Sequence, residues 1–324
     1  MYTFAIKWEE VEFNGNSEIN SLHNHKPVLV EEVCRSLACR PGGRYLDCTV
    51  GGGGHAWRIL DLSRPDGILI GIDRDEAALA VTGERLKEFG ARATLLHGHF
   101  SELAHHLHSV GVLEVDGVLF DLGVSSTQLG CPTRGFSFSA DGPLDMRMDQ
   151  RSGQTAADLV NQLAEPELAD IVYRYGEERY ARRIARAVVR ARARGPLRTT
   201  FELVAVIRDA VPSSYRHGRL HCATRTFQAL RIAVNRELDS LADSLRDATR
   251  VLAPGGRLCV ISFHSLEDRI AKQTLRALSH EPGAYVSTLT KKPVRPSEEE
   301  LRTNPRARSA KLRVAERLPE GRLP

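Results

Sequence analysis

Four short apolar segments, each the length of one buried strand, alternate with helical patterns over the first 121 residues of the chain. The segments cover 44–50, 67–73, 94–98 and 115–121. Because a strand that runs parallel to its neighbour needs a helical crossover, this alternation predicts an α/β fold with a parallel, doubly wound sheet. Ligands of such folds bind at the carboxyl ends of the strands, so a functional site is expected there.

The pattern changes after the fourth segment. Residues 155–250 have the periodicity of helices with Arg-rich faces, and strand patterns return from 256–263 onward. The sequence therefore predicts a helical domain inserted into an α/β domain. The predicted parts are a flexible extension at 1–21, a cofactor-binding domain made of 22–130 and 237–324, and an inserted helical substrate domain at 131–236.

A glycine-rich loop, DCTVGGGGH at 47–55, follows the first strand. Glycines let backbone N–H groups approach an anionic or polar ligand, and the helix that follows adds a favourable dipole. Asp73 and Asp121 end the second and fourth strands, and a carboxylate at the place of Asp73 can accept both hydroxyls of a ribose. The loop by itself fits NAD or S-adenosylmethionine (SAM). Asp47, suited to a cationic amino-acid end, and Asp121 favour SAM.

Arginine is unevenly distributed along the chain. Of the 45 basic residues 7 are Lys and 38 are Arg, and the stretch 174–236 holds 15 Arg against 4 acids, a local net charge of +11. Such a face is typical of proteins that bind the phosphates of nucleic acid. The alternative is a general Arg bias on solvated helices, and this feature alone does not separate the two.

Composition excludes several classes of protein. Hydrophobic residues make up 42% and charged residues 27% of the chain, which are globular values, and no apolar run approaches the roughly 18 residues of a membrane helix. We expect neither a signal peptide nor a membrane partner. The 6 cysteines include no CxxC pair, so we expect no metal site and a reducing cytoplasm. The histidines between 97 and 108 lack the spacing of a ligand set.

A set of longer segments carries a more specific signature. They are DLGVSS at 121–126, RGFSF at 134–138, DGPLDMRMD at 141–149, YGEER at 175–179, ATRTFQALRIAVNREL at 223–238, SFHSLEDR at 262–269 and NPRARSAKLR at 304–313. In this order they resemble the MraW family of ribosomal RNA methyltransferases, over about 25–317. The resemblance implies a Rossmann-like SAM-dependent methyltransferase fold with a helical insertion. It also implies a cytoplasmic enzyme of the small ribosomal subunit that methylates the exocyclic N4 of a cytosine in the decoding region of 16S ribosomal RNA.

The resemblance further implies which residues contact SAM. They are Gly53, Gly54, His55, Asp73, Phe100, Asp121 and Gln128. Phe100 follows the third strand, where its ring is suited to the adenine face. Without the resemblance, an ordinary core aromatic is the preferred interpretation of Phe100. Asp121 and Gln128 are expected near the transferred methyl group.

Methylation of a cytosine amine needs a group that accepts a proton or hydrogen bond from it, because the amine lone pair is delocalised into the ring. Asp121 is the first candidate for this catalytic role and Asp145 the second, although Asp121 can also serve mainly to hold SAM. The segment after the fourth strand lacks the Pro-Pro-Tyr that many exocyclic-amine methyltransferases carry. The aromatic that stacks on the target base is therefore left open between Phe136 and Phe138.

The segment after the fifth strand has two interpretations. His264, Glu267 and Asp268 can reach the site from the end of that strand. Alternatively, Ser265 and Asp268 form a capping box for the next helix, with Asp in place of the usual Glu. The sequence does not separate these two interpretations.

Four arginines are predicted to hold the RNA backbone: Arg134, Arg183, Arg186 and Arg190. The last three are spaced by three or four residues, and like charges so placed on a helix repel, which suggests that a polyanion normally neutralises them. The alternative is that Glu178 pairs with Arg182 four residues later, so that some of the charge is locked within the helix. The tail at 302–322 is a further candidate for RNA contact.

Two other functions are kept as alternatives. An NAD-dependent oxidoreductase would share the sheet, but an Arg-rich insertion is an unusual substrate domain for it. A non-catalytic ribosome-assembly factor would not be expected to keep a glycine loop together with Asp73 and Asp121. The sequence does not decide between naked RNA and the assembled subunit as substrate, or between a monomer and a homodimer.

Overall fold

A computed structural model describes residues 26–280 and 284–319 of the chain. Its strands are β1 (Arg44–Asp47), β2 (Ile68–Asp73), β3 (Ala93–His97), β4 (Val115–Asp121), β5 (Leu252–Ser262), β6 (Val286–Thr288) and β7 (Lys311–Arg317). They form one seven-stranded sheet in the order β3-β2-β1-β4-β5-β7-β6. The extension predicted at 1–21 lies outside the described residues.

Helices connect the strands and fill the predicted insertion. They are α1 (Val30–Leu37), α2 (Gly54–Leu62), α3 (Glu76–Leu86), α4 (Leu103–Ser109), α5 (Ser126–Gly130), α6 (Ala156–Gln162), α7 (Glu165–Gly176), α8 (Ala181–Arg192), α9 (Thr200–Ala210), α10 (Ser213–Arg216), α11 (Thr224–Asn235), α12 (Leu241–Arg250), α13 (Ser265–His280) and α14 (Glu298–Thr303). None of the helices in the described ranges combines the length and the apolar character that crossing a membrane requires.

The first five strands of the sheet run parallel to one another, and β7 pairs antiparallel between β5 and β6. The central strands are apolar without alternation, as expected where helices cover both faces of a sheet. In β4, for example, Val118, Leu119 and Phe120 are all fully buried. The predicted α/β class, a doubly wound sheet with a helical insertion, is confirmed.

One edge of the sheet gathers acidic residues. Because β1, β2 and β4 are parallel, their carboxyl ends lie on the same side, and each ends in an acid: Asp47, Asp73 and Asp121. Asp47 is in register with Gly71 of β2 and with Leu119 of β4, so the three strand ends are adjacent. The predicted functional edge therefore contains three carboxyl groups from separate parts of the sequence.

The chain divides into two compact units. The sheet unit comprises Met1–Gly123 and Asp239–Pro324, and the helical unit comprises Val124–Leu238. Each has its own apolar core, which in the helical unit includes Ile184, Leu203 and Leu230. The sequence-based boundaries, with the insertion at 131–236, fall a few residues from these. The assignment of one unit to the cofactor and the other to RNA stays a prediction.

The helical periodicity from Thr226 to Leu252 predicts a single long helix, and this prediction is wrong. The structure has two helices there, because Arg236 adopts a left-handed conformation with φ of 51° and ends α11. The N–H of Glu237 then donates to Ile232 O, as in a Schellman turn. The left-handed residue at the end of a helix is usually Gly. Because Arg stands at position 236, the sequence gives no signal that the helix ends there.

Candidate functional site

The glycine-rich loop joins β1 to α2 and is fastened to the neighbouring strand ends. The N–H of Gly51 donates to Asp73 Oδ2 at 2.8 Å, and Thr82 Oγ1 donates to Gly51 O at 2.6 Å. Gly53 has φ of 74°, and a Cβ there would lie 2.8 Å from Thr82 Cγ2, so larger residues are excluded. At Gly52 a Cβ would meet nothing within 4 Å. The loop therefore offers accessible backbone to a ligand.

Two carboxyl groups, those of Asp47 and Asp73, flank this loop and accept hydrogen bonds from backbone N–H groups. Asp47 Oδ1 accepts the N–H of Thr49 at 3.1 Å, and Asp73 Oδ1 accepts the N–H of Asp75 at 2.9 Å. Burial raises the pKa of Asp47 to about 7 and that of Asp73 to about 6, against the opposing effect of these backbone hydrogen bonds. The charge of Asp73 raises the pKa of Asp47 further. A cationic ligand with hydroxyl donors suits such a pair.

Burial of Asp47 leads to a prediction on stability. Its carboxyl ionises near 3.8 when free and near 7 in the fold, so its contribution to stability is complete below pH 4 and is lost as the pH rises to about 7. Relative to an Asp47→Asn variant, the ligand-free protein should lose stability by about 1.4 kcal/mol per pH unit across that window. Urea unfolding of both proteins at pH 5 and pH 8 measures this.

A matched control for that experiment is Asp66→Asn, because Asp66 also accepts a backbone N–H, from Gly42, but is exposed. Its free energy of unfolding should follow the wild type at both pH values. An Asp47→Asn variant whose stability relative to wild type is the same at pH 5 and pH 8 would contradict the prediction.

Asp121, at the end of β4, is the most perturbed acid of the site. Its backbone N–H donates to Thr49 Oγ1 at 2.6 Å, which ties β4 to the loop after β1. Its Oδ1 is buried and has no hydrogen-bond partner among the residues that the structure describes. Burial raises the pKa of Asp121 well above its usual range, and the charges of Asp47 and Glu267 raise it further. An unpartnered oxygen of this kind is available to accept a hydrogen bond from a ligand.

His55 lies beside Asp121 in the first turn of α2. Its Nε2 lies 2.9 Å from Val28 O, and its Nδ1 lies 3.5 Å from Asp121 Oδ2. Burial lowers the pKa of His55 to about 4, so the imidazole is neutral at physiological pH. Gly54 precedes it, and a Cβ at Gly54 would lie 3.1 Å from Pro27 Cγ. Gly54 and His55, both predicted to contact the cofactor, therefore pack against the segment that precedes α1.

Phe100 stands in a short 3-10 turn, Phe100–Glu102, after β3. It is only partly buried, with its edge against Phe120 at a centroid distance of 5.6 Å and its ring 4.0 Å from that of His99. A residue of the central core would be fully covered, as Phe120 is. The partial exposure favours the ligand-facing interpretation of Phe100 over the core interpretation.

Two predicted site residues belong to the helical unit. Gln128 is 3% exposed and caps α5, since its Oε1 accepts the N–H of Ser125 and Ser125 Oγ accepts the N–H of Gln128. Asp145 is bound through both oxygens to the guanidinium of Arg147, each at 2.8 Å. Burial alone would raise the pKa of Asp145, but the hydrogen bonds and charge of Arg147 lower it below its usual value. An acid so engaged is a weak proton acceptor, which favours Asp121 over Asp145.

The segment after β5 caps the next helix through Glu267, which is outside the predicted capping box of Ser265 and Asp268. Glu267 Oε2 accepts the N–H of Phe263 at 2.8 Å and that of His264 at 3.3 Å, and Glu267 is buried. Asp268 instead binds Lys311 at 2.8 Å and Arg313 at 2.7 Å, across to β7. The charge of Glu267 also raises the pKa of Asp121. Glu267 therefore belongs to the site as well as to the helix cap.

The predicted arginine stripe lies on the exposed face of α8. Arg183, Arg186 and Arg190 are all exposed, and Arg186 forms a long ion pair, 3.4 Å from its Nε to Glu165 Oε1. Glu178 does not pair with Arg182. It is fully buried, and its carboxylate accepts the hydroxyl of Tyr215 at 2.5 Å and the N–H of Tyr180 at 2.8 Å.

An arginine and aromatic cluster that the sequence did not reveal stands at the start of the same helix. The guanidinium of Arg179 lies 4.8 Å from the ring centroids of both Tyr180 and Tyr215, and Arg183 lies 5.8 Å from that of Tyr180. Tyr180 and Tyr215 pack edge to face at 4.9 Å. Cations held over aromatic faces keep their charge exposed while losing side-chain freedom, which suits phosphate or base contact.

Arg134 is not part of that surface. It is 6% exposed, and its Nη2 donates to the carbonyls of Arg147 and Met148. Arg134 is therefore not among the residues that we propose to bind RNA.

Two aromatics are candidates for stacking on the target base. Phe136 is buried in the core of the helical unit, whereas Phe138 is partly exposed and stacks on the exposed ring of His221 at 4.7 Å.

Comparison with known proteins gives consistent matches over most of the chain. The model of the MraW methylase family matches residues 22–318. A ribosomal RNA small subunit methyltransferase H from Syntrophotalea carbinolica is 52% identical over 309 residues, which cover 91% of this chain and 98% of that protein. Its namesake from Symbiobacterium thermophilum is 51% identical, with 92% and 98% covered. Among solved structures, an rRNA methylase from Streptococcus thermophilus has a TM-score of 0.43 at 11% identity, with 91% and 98% covered.

Proposed function

The chain belongs to the MraW methylase family, and from this premise we propose that it methylates the exocyclic N4 of a cytosine in the decoding region of 16S ribosomal RNA. It is an rRNA methyltransferase, and its cofactor is SAM. The single observation that carries the finer proposal is the buried Oδ1 of Asp121, which has no partner within residues 26–280 and 284–319 and lies at the strand end where the reacting group is expected. An amine donor from the target base is a natural partner for that oxygen.

The acidic edge of the sheet unit fits SAM chemically. Asp73 is suited to the ribose hydroxyls, and the buried Asp47 to the positive amino-acid end, because both carboxyls have raised pKa values that a cation and donors would relieve. The open backbone at Gly52 is suited to close approach of a ligand. When bound, SAM supplies an electrophilic methyl group on a positively charged sulfur.

The residues of the chain have two tasks in the reaction. The first is to orient the amine lone pair toward the methyl carbon, which is chiefly a matter of positioning. The second is to accept a proton from the amine as the N–C bond forms, and Asp121 is placed for it. Asp145 is the weaker candidate, because Arg147 occupies both of its oxygens.

The helical unit is the proposed RNA-holding part. Arg183, Arg186 and Arg190 form an exposed basic stripe, and Arg179 with its two tyrosines adjoins it. Phosphate contacts of this kind fix the position of the RNA, while the target base must leave its stack to be modified. The partner we propose is 16S ribosomal RNA within the small ribosomal subunit, in the cytoplasm.

The direct test is methylation of small ribosomal subunits that lack the modification. The purified protein is incubated with them and with methyl-labelled SAM, and the RNA is digested to nucleosides. We expect label in N4-methylcytidine from the decoding region. Label in another nucleoside, or in protein, would refute the N4 assignment, and absence of label with both naked RNA and assembled subunits would refute the substrate.

The assignment of Asp73 to the cofactor gives a second prediction. Asp73→Ala removes a charge-assisted contact worth about 1.5–3 kcal/mol per hydrogen bond, so the Kd for SAM should rise at least tenfold by calorimetry. Asp66→Ala serves as the matched control, because Asp66 is an exposed carboxylate that also accepts a backbone N–H. Unchanged SAM binding by a folded Asp73→Ala protein would remove Asp73 from the cofactor site.

A further inference from the structure

A short segment at 26–29, here called the strap, packs against Gly54 and His55 at the end of the glycine loop and is hydrogen-bonded to residues near the end of the sequence. Leu29 N–H donates to Glu300 Oε1 at 2.8 Å, and Asn304 Nδ2 donates to Lys26 O at 3.1 Å. Leu29 is fully buried and has φ of 57°, a conformation that a Leu adopts only when its surroundings impose it. Glu300 is itself buried on α14.

The strap determines which nitrogen of His55 carries a proton. The carbonyl of Val28 can only accept, so the contact of 2.9 Å to His55 requires that Nε2 be the protonated nitrogen. Because burial keeps the ring neutral, with the pKa of His55 lowered to about 4, Nδ1 is then left as an acceptor.

That acceptor faces Asp121. His55 Nδ1 lies 3.5 Å from Asp121 Oδ2, and two acceptors at this distance repel unless a proton lies between them. The raised pKa of Asp121 supplies that proton, since burial favours its neutral acid. The contact is long for a hydrogen bond, as is common for catalytic pairs before substrate binds.

We propose that His55 is the proton-accepting partner of Asp121 in methyl transfer, and that the strap, through Glu300, is the device that holds His55 in the tautomer this role requires. The inference rests on the proposed function and adds two roles to it. His55 becomes a catalytic residue in addition to its place in the cofactor loop, and Glu300 becomes a positioning residue.

The step balances in atoms and charge. The amine lone pair forms the N–C bond, and the electron pair of the broken C–S bond stays on sulfur. One amine proton goes to Asp121 Oδ1, while the proton on Asp121 Oδ2 goes to His55 Nδ1. The positive charge lost from sulfur therefore reappears on the imidazole, beside the carboxyl of Asp121, whose pKa the charges of Asp47 and Glu267 raise. The extra proton is released to water with the product.

The tautomer is tested first, in the free protein. Nitrogen NMR of histidine-labelled protein, with the His55 signals assigned by their loss in His55→Gln, should show Nε2 protonated and Nδ1 unprotonated. In Glu300→Ala the strap loses its anchor, and we expect the two tautomers to mix. Glu300→Gln keeps an acceptor for the Leu29 N–H and should restore the wild-type spectrum. Glu299→Ala, an exposed neighbour on the same helix, is the control.

Catalysis is tested second, by single-turnover methylation at saturating SAM. In His55→Gln the side-chain amide still donates to Val28 O but offers no basic nitrogen to Asp121. We expect the rate at saturating SAM to fall about 10²-fold, a larger factor than the rise in the Kd for SAM that its place in the cofactor loop would cause. Glu300→Ala should lower the rate as well, and Glu300→Gln should recover it.

Three outcomes would overturn the inference. They are an unchanged tautomer in Glu300→Ala, a wild-type rate for His55→Gln, and a parallel loss of rate and SAM affinity in His55→Gln, which would make His55 a cofactor-loop residue only. Thermal unfolding of each variant shows that it is folded. The proposed function fails separately, through the wild-type protein, if that protein methylates no cytosine at N4.

Discussion

At saturating SAM, Asp121→Asn is expected to lower the rate of methyl transfer by about 10²–10⁴-fold, the usual effect of removing a positioned acid or base. Asn preserves the size of the side chain and its polarity, so the pocket should keep its shape. It cannot take the amine proton, and its Oδ1 cannot act as a base. Single-turnover rates and calorimetric SAM affinities of the same preparations separate chemistry from binding.

The matched control for this variant is Asp116→Asn, on the opposite end of the same strand. Asp116 accepts from Arg40 and from the N–H of Arg44 and lies away from the acidic edge. Its rate and SAM affinity should stay near wild type. If the Asp121→Asn protein transfers the methyl group at the wild-type rate, Asp121 is not a catalytic residue. If rate and affinity fall by the same factor, Asp121 holds the cofactor and another group accepts the proton.

The second large effect is expected on RNA binding. Replacing Arg183, Arg186 and Arg190 together with Gln should weaken association with the small ribosomal subunit on the order of a hundredfold at physiological salt. The reason is that each phosphate contact contributes about one unit to the slope of log affinity against log salt, so the slope should become shallower by about three. SAM binding should be unaffected, because the sheet unit is unchanged.

A triple replacement at Arg64, Arg246 and Arg250 controls for the loss of charge. These arginines belong to the sheet unit, and each already lies within 4 Å of an acid: Glu88, Asp243 and Asp247 respectively. Association and its salt slope should therefore change little. If the Arg183, Arg186 and Arg190 variant also keeps the wild-type slope, that stripe is a solvated helix face, and the cluster around Arg179 becomes the next surface to test.

Much of the site was predictable because its parts are local in sequence. Alternation of strands and helices implies a parallel sheet, and parallel strands place their carboxyl ends at one edge. Asp73 and Asp121 could therefore be placed together from their positions at strand ends, and Asp47 from its place just before the glycines. The exposed stripe on α8 was predictable for the same reason, since helical spacing of Arg183, Arg186 and Arg190 is a property of the segment itself.

Other features depended on contacts between residues far apart in the chain. The sequence predicts Arg134 as a surface cation, but its guanidinium is buried and donates hydrogen bonds to the carbonyls of Arg147 and Met148. Glu178 lies four residues before Arg182, which is a helical spacing. Its carboxylate nevertheless accepts a hydrogen bond from the hydroxyl of Tyr215. A charged side chain binds whichever partner the fold brings within about 3 Å, and spacing along a helix is only one way to supply that partner.

The sequence by itself determined the class of fold, the acidic edge and the family, because these follow from periodicity and from motifs in fixed order. Only the tertiary structure decided the state of the groups at that edge. Glu300 and Leu29 are 271 residues apart, and their hydrogen bond holds the carbonyl that selects the tautomer of His55. The raised pKa of Asp121 depends likewise on burial and on the charges of other elements. Such properties arise from desolvation and close approach, which exist only once the chain is folded.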